Sequence, residues 1–129
     1  MRDETEKENS NSIFLLSEEY HGYIANQIIT YLKNHLYEEI RIDDICTELN
    51  YNKSYLFRQF KQATGCSIMA YFIGLKIDRA NKLLRESKLT VTEISNQFAF
   101  DSPNYFSKTF KKITGFTPLQ YKKLHNHSR

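Results

Sequence analysis

Arg58, Lys61, Lys108, Lys111 and Lys112 are cations set among polar and aromatic side chains in two stretches that echo each other. One stretch reads S-Y-L-F-R-Q-F-K-Q-A-T-G from Ser54 to Gly65, and the other reads S-P-N-Y-F-S-K-T-F-K-K-I-T-G from Ser102 to Gly115. At an offset of fifty residues, Tyr55, Phe60, Lys61, Thr64 and Gly65 recur as Tyr105, Phe110, Lys111, Thr114 and Gly115. The chemistry open to such residues is anion binding: an ammonium group meets phosphate as a point charge, and a guanidinium meets it as a planar fork. Two copies are too few to stack into a solenoid, so the expectation is one small module present twice.

The elements that must hold these side chains are helical by periodicity. From Glu18 to Leu36, the positions Tyr20, Tyr23, Ile24, Ile28, Tyr31 and Leu32 make a stripe of helical spacing. Ile42, Ile45, Cys46 and Leu49 then share one face of a short helix, with Asp43, Asp44, Thr47 and Glu48 on the other. Asn50 suits a tight left-handed turn, and Asn52 suits the N-cap of a second helix over residues 53–64. That helix turns Leu56, Phe60 and Ala63 inward and Lys53, Ser54, Phe57, Arg58, Lys61 and Gln62 outward, and Gly65 stops it. Ser67 caps a long segment to about Leu84, with Tyr71, Phe72, Leu75, Ala80 and Leu84 apolar and Lys76, Arg79, Lys82 and Arg85 on its polar side. At 1.5 Å per residue this spacer spans roughly 27 Å.

The second copy follows the same plan. Thr90 or Thr92 caps a short helix that turns Val91, Ile94, Ser95 and Phe98 inward, and residues 99–101 make the turn. Ser102 is then an N-cap, Pro103 is preset for the first helical turn, and Phe106, Phe110 and Ile113 face inward. A last short helix from Thr117-Pro118 bears Leu119, Tyr121 and Leu124. The expectation is an all-α chain with two helix-turn-helix subdomains joined by a long linker helix. Its divisions are a disordered or linker arm at 1–17, a first subdomain at 18–66, the linker helix at 67–85, a second subdomain at 86–124 and a frayed tail at 125–129.

Composition narrows the function. The 129 residues are 40% apolar and 26% charged, which is ordinary for a globular domain. No apolar run approaches the roughly 20 residues that span a bilayer, and the polar, acidic start lacks a signal-peptide pattern. A cytoplasmic location with no membrane partner is the expectation. Residues 1–50 carry 4 Lys/Arg against 11 Asp/Glu, a balance of −7, whereas residues 51–129 carry 14 against 4, a balance of +10. A compact half with that excess attracts polyanions. Cys46 and Cys66 lack ligand or redox spacing and read as reduced packing thiols. His21, His35, His125 and His127 form no triad, and His125-x-His127 lies on a polar chain end. With only four glycines there is no phosphate-binding loop, so neither catalysis nor a metal nor a cofactor is expected.

Short helix, turn and longer basic helix is the arrangement that inserts a helix into the DNA major groove, where outward side chains reach base edges and neighbouring cations neutralise phosphates. Two such units on a ~27 Å spacer match major-groove segments about one helical turn, ~34 Å, apart. The alternative is a basic helical interaction module that docks an acidic protein or an anionic surface.

From Ile42 to Lys123 the chain resembles the DNA-binding domain of the AraC/XylS family of bacterial transcription regulators. The motif S-P-N-Y-F-S-K-T-F-K-K-I-T-G-F-T-P-L-Q-Y-K from Ser102 to Lys122 carries that resemblance most specifically. It implies seven helices, two recognition helices in successive major grooves, and double-stranded promoter DNA as the partner. It also implies activation through contact with RNA polymerase, and a regulatory domain in a longer parent chain unless the domain acts alone. By position, base reading is carried to Ser54, Phe57 and Arg58 in the first recognition helix and to Asn104, Tyr105 and Lys108 in the second. Arg58 suits guanine, Asn104 suits adenine, and Phe57 suits a thymine methyl or the neighbouring core. Tyr105 has a packing role beside Phe106 as its other reading. Lys53, Lys61, Lys111 and Lys112 suit phosphates. Where the family has glycine at the two turns this chain has Asn50 and Ala99, and an alanine at positive φ costs on the order of 1 kcal/mol. The family's arginines in the spacer helix and near the end are Lys76 and Lys122 here.

Overall fold

The computed structural model describes residues 21–126. The expected arm at 1–17, Tyr20 of the first stripe and the last three residues of the expected tail lie outside the described residues. The described residues form seven α-helices and no strand: α1 Tyr23–Asn34, α2 Ile42–Leu49, α3 Lys53–Thr64, α4 Ile68–Glu86, α5 Val91–Gln97, α6 Pro103–Thr114 and α7 Pro118–Asn126. They fall into two units that divide within α4, one ending at Leu75 and the other starting at Lys76.

In the first unit, α1 packs on α2 and α3. Gly22 leads into α1 at φ 106, a backbone conformation that side chains disfavour. The buried stripe is Ala25, Ile28, Ile29 and Leu32, continued by Leu36 in the following turn. This corrects the expected stripe: Tyr23 is 67% exposed and Tyr31 only half-buried. Ala25 and Ile29 bring no polar atom to desolvate, whereas a tyrosine turned fully inward takes its hydroxyl out of water, so the helix is rotated toward the aliphatic residues. Ile45 of α2 and Leu56 and Phe60 of α3 are fully buried, each contributing about 1.5–3 kcal/mol by burial. Phe60 meets Tyr71 of α4 edge to face, with ring centroids 5.3 Å apart.

The second unit is built on aromatic rings. Phe100 lies 4.9 Å from Phe106, Phe106 lies 5.8 Å from Phe110, and Phe110 lies 5.7 Å from Tyr121 of α7. Ile77, Ala80 and Leu84 of α4 and Ile94 and Phe98 of α5 complete the buried set. Thr90 caps α5 reciprocally with Glu93: the Glu93 N–H donates to the Thr90 hydroxyl at 3.0 Å, and the Thr90 N–H donates to the Glu93 carboxylate at 2.8 Å. Thr117 and Gln120 make the same exchange at the start of α7, at 2.9 and 3.1 Å. α7 continues through His125 and Asn126.

Lys76 departs from its expected place on the polar side of α4. It is 4% exposed, and its ammonium donates to the carbonyl of Phe98 at the end of α5. That carbonyl lies 22 residues further along the chain, so helical periodicity alone could not place the lysine.

The turn between α5 and α6 runs through Ala99 at φ 58, the left-handed region. Ala99 and Phe100 donate back to the carbonyls of Asn96 and Ser95 at 3.0 and 3.1 Å, which holds alanine in a conformation it disfavours. Left-handed backbone costs a non-glycine residue roughly 1–2 kcal/mol, while glycine loses about 0.4–1 kcal/mol more chain entropy on folding. Ala99→Gly is therefore expected to raise the unfolding free energy by roughly 0.5–1 kcal/mol, read from urea unfolding curves.

Candidate nucleic-acid interface

The repeated residues prove to be repeated hardware. In α3, the Asn52 side chain accepts from the Tyr55 N–H at 2.8 Å; in α6, the Ser102 hydroxyl accepts from the Tyr105 N–H at 3.0 Å. At the other ends, the Thr64 hydroxyl donates to the Phe60 carbonyl and the Thr114 hydroxyl to the Phe110 carbonyl, each at 2.8 Å. Gly65 at φ 83 and Gly115 at φ 91 close the helices, their N–H groups donating to the carbonyls of Lys61 and Lys111 at 2.8 Å. A short side-chain acceptor opens each helix and a left-handed glycine closes it, so both have fixed ends and the same length of twelve residues.

Rigid ends and one buried stripe decide what faces outward. Leu56 and Phe60 anchor α3, which leaves Ser54, Phe57 and Arg58 exposed; Phe106 and Phe110 anchor α6, which leaves Asn104, Tyr105 and Lys108 exposed. Lys53 and Lys61 on α3 and Lys111 and Lys112 on α6 are exposed too. Each unit thus gathers three of the expected base-reading positions and two of the expected phosphate positions on one helix. Phe57 is 44% exposed, so the core does not take up its ring. Tyr105 is 43% exposed, with its ring 5.9 Å from that of Phe100, so it rests on the turn while presenting an edge to solvent.

Two contacts on the first helix lay beyond periodicity. The Lys53 ammonium lies 3.4 Å from the Asp43 carboxylate of α2, with both side chains more than half exposed. An ion pair so open to water is worth little, so Lys53 is free to exchange a carboxylate for a phosphate. The Arg58 guanidinium lies over the ring of Tyr55, 5.7 Å from its centroid.

Lys76 and Lys122 have comparable tasks within the second unit. Lys76 binds the carbonyl of Phe98 and lies 5.7 Å from the ring centroid of Phe100. Lys122 of α7 donates to the carbonyl of Leu89, ahead of α5, at 2.7 Å. One cation therefore holds the chain entering α5 and the other the chain leaving it, and α5 carries the turn that aims α6. A cation at a helix C-terminus also faces the negative end of the helix dipole.

Three acidic side chains of the first unit act on Tyr31 of α1. Burial raises the Tyr31 hydroxyl above its ordinary pKa, and Asp44, Glu48 and Glu38 raise it further, which places these carboxylates around α1 and α2. Cys46 and Cys66 are free thiols, half-buried. Among the described residues, no group of three or more His, Cys, Asp or Glu side chains is placed to hold a metal ion, and no helix is long and apolar enough to cross a membrane.

The helix-turn-helix domain family matches residues 45–124, which takes in both capped helices and the spacer. The C-terminal domain of AraT, a response regulator from Geobacillus stearothermophilus, has the same fold with a TM-score of 0.76 at 27% identity, over 82% of this chain and 88% of that one. A transcriptional regulator of the AraC-type DNA-binding domain class from Chromobacterium violaceum shares the fold at a TM-score of 0.75 and 24% identity, over 79% of this chain and 91% of that one. The chain belongs to the AraC-type helix-turn-helix family. Among curated relatives of this AraC-type chain, the HTH-type transcriptional activator RhaR of Salmonella dublin is 36% identical over 105 residues, 81% of this chain and 37% of RhaR. The AraC-type chain spans 36% to 59% of the length of the first curated relatives it matches.

Proposed function

We propose that this AraC-type domain is a sequence-specific, double-stranded-DNA-binding regulator of transcription. It works by laying α3 and α6 into successive major-groove segments of a promoter. The observation that carries the reading is the pair of outward faces: two helices capped and anchored at equivalent positions, by Leu56 and Phe60 in one and Phe106 and Phe110 in the other, carry different side chains at the matching outward places, Ser54, Phe57 and Arg58 against Asn104, Ser107 and Lys108. Equivalent support beneath divergent outward residues is what two readers of different base sequences require. Lys53, Lys61, Lys111 and Lys112 hold the flanking phosphates. The domain acts in the cytoplasm as an activator that contacts RNA polymerase, with binding rather than catalysis as its chemistry. Control comes either from the amount of the domain, acting alone, or from a regulatory domain in a longer parent chain. The name of the relative RhaR, a transcriptional activator, supports the direction of control.

Selection from a random duplex library tests the reading: enrichment of a site with two sequence blocks supports it, and no enrichment favours a basic module that docks an acidic surface. Within an enriched site, Arg58→Ala is expected to relax preference at one base pair by about 1–3 kcal/mol. Lys111→Ala is expected to weaken all sequences alike and to lower the salt slope by about one unit. Uniform losses from both variants would contradict the assigned roles.

A further inference from the structure

Arg58 is exposed on α3, but its guanidinium is not at large in solvent: it lies over the ring of Tyr55, one helical turn earlier. Tyr55 is itself held twice. Its N–H is bound at 2.8 Å by the side chain of Asn52, and its ring lies 5.4 Å from the ring of Tyr51 in the turn between α2 and α3. Tyr51 in turn is tied by its N–H to the Cys46 carbonyl at 3.2 Å, beside the left-handed Asn50. A line of contacts therefore runs from the turn through two rings to the guanidinium. We infer that Tyr55 is a positioning residue for base recognition, holding the Arg58 fork in the plane and direction it needs to address a guanine edge. The inference rests on the reading of Arg58 as a base-contacting residue.

The physical reason lies in what an arginine loses on binding. A long side chain that samples many rotamers is ordered on contact with a base, and a ring that already holds the guanidinium reduces that loss. A guanidinium held over an aromatic ring by its cationic carbon still has N–H edges to offer, so this contact and a bidentate contact to guanine are compatible. The second recognition helix keeps the tyrosine in the same register, as Tyr105, but has Lys108 where Arg58 stands, and there the tyrosine ring leans on Phe100. A tyrosine at this position thus serves a planar cation in one helix and the turn in the other.

The test measures competition between the selected duplex and duplexes substituted at the guanine whose preference Arg58→Ala relaxes. The proteins compared are the native chain, Tyr55→Leu, Tyr55→Phe and the double variant Tyr55→Leu/Arg58→Ala, with Tyr55→Gln as a second ring-less variant should the leucine form fail to fold. Exposed cation–ring contacts translate to about a two- to fivefold effect. Tyr55→Leu is therefore expected to lower discrimination at that guanine by about two- to fivefold. Tyr55→Phe, which keeps the ring, should restore the native ratio, and the leucine change should add nothing once Arg58 is gone. Native discrimination in the ring-less variants while Arg58→Ala loses it would overturn the positioning role and leave the proposed function standing, as would equal losses in the phenylalanine and leucine variants. A native chain that shows no guanine preference affected by Arg58→Ala would remove the reading on which the inference rests.

Discussion

Phe110→Ala is expected to lower the unfolding free energy by about 3–5 kcal/mol, the range for removing a fully buried aromatic ring. Phe110 is 0% exposed, with its ring centroid 5.8 Å from that of Phe106 on its own helix and 5.7 Å from that of Tyr121 on α7. Its carbonyl also accepts the hydroxyl of Thr114, so a shift of the backbone there would loosen the end of α6 as well. The lost contacts lie within α6 and between α6 and α7, where two aromatic rings cannot close over the vacated space without leaving their edge-to-face geometry. Urea unfolding of native and variant proteins gives the comparison. A loss below about 1 kcal/mol would mean the ring stack collapses around the gap and that α6 is not anchored as described.

Lys76→Met is the second change with a large expected effect, a loss of about 1–3 kcal/mol. Methionine keeps the length and the apolar stem but leaves the carbonyl of Phe98 without the ammonium it accepts from. A second effect opposes this loss, because removing a buried charge also removes its desolvation cost. The pairing decides the sign: the ammonium meets a helix C-terminal carbonyl and lies within cation–ring range of Phe100, at 5.7 Å. Lys76→Arg, which keeps the charge, is expected to retain most of the stability. Because Phe98 precedes Ala99 and the turn into α6, Lys76→Met should also blur sequence preference at the DNA segment assigned to α6 more than at the segment assigned to α3. Native stability in Lys76→Met would show that the carbonyl is satisfied without the lysine.

Much of the fold was legible because its signals are local. Caps at Asn52, Ser67, Thr90 and Ser102 each need only a side chain and an N–H three residues on, and all four are made. The stops at Gly65 and Gly115 are equally local. The inward stripes of α3 and α6 were clear because Phe60 and Phe110 sit among polar neighbours, so only one face is apolar. Periodicity places the inward face of α1 about one residue of rotation from the packed one because tyrosines and isoleucines interleave there, and spacing does not say which of two apolar types takes the interior. Lys76 was misplaced for another reason: its partner is a backbone carbonyl brought near by tertiary folding, and a carbonyl has no signature in sequence.

The outward residues of the candidate interface were legible as the complement of those stripes. Their mutual contacts were not. Asp43 beside Lys53 joins two helices across a turn, and its distance depends on the turn geometry set by Asn50. Tyr55 under Arg58 is at helical spacing, but spacing allows the contact without selecting the rotamers that make it. Ala99 shows the limit from the other side: the residue type argued against a left-handed turn, and the turn forms because neighbouring hydrogen bonds and packing hold it.

If α3 and α6 each read one DNA segment, hydroxyl-radical footprinting on a duplex selected by this chain resolves the two. The predicted pattern is two protected blocks on one face of the duplex, centred about one helical turn, 10–10.5 base pairs, apart, with Arg58→Ala weakening one block and Asn104→Ala the other. A single protected block, or two blocks that fade together in both variants, would contradict it.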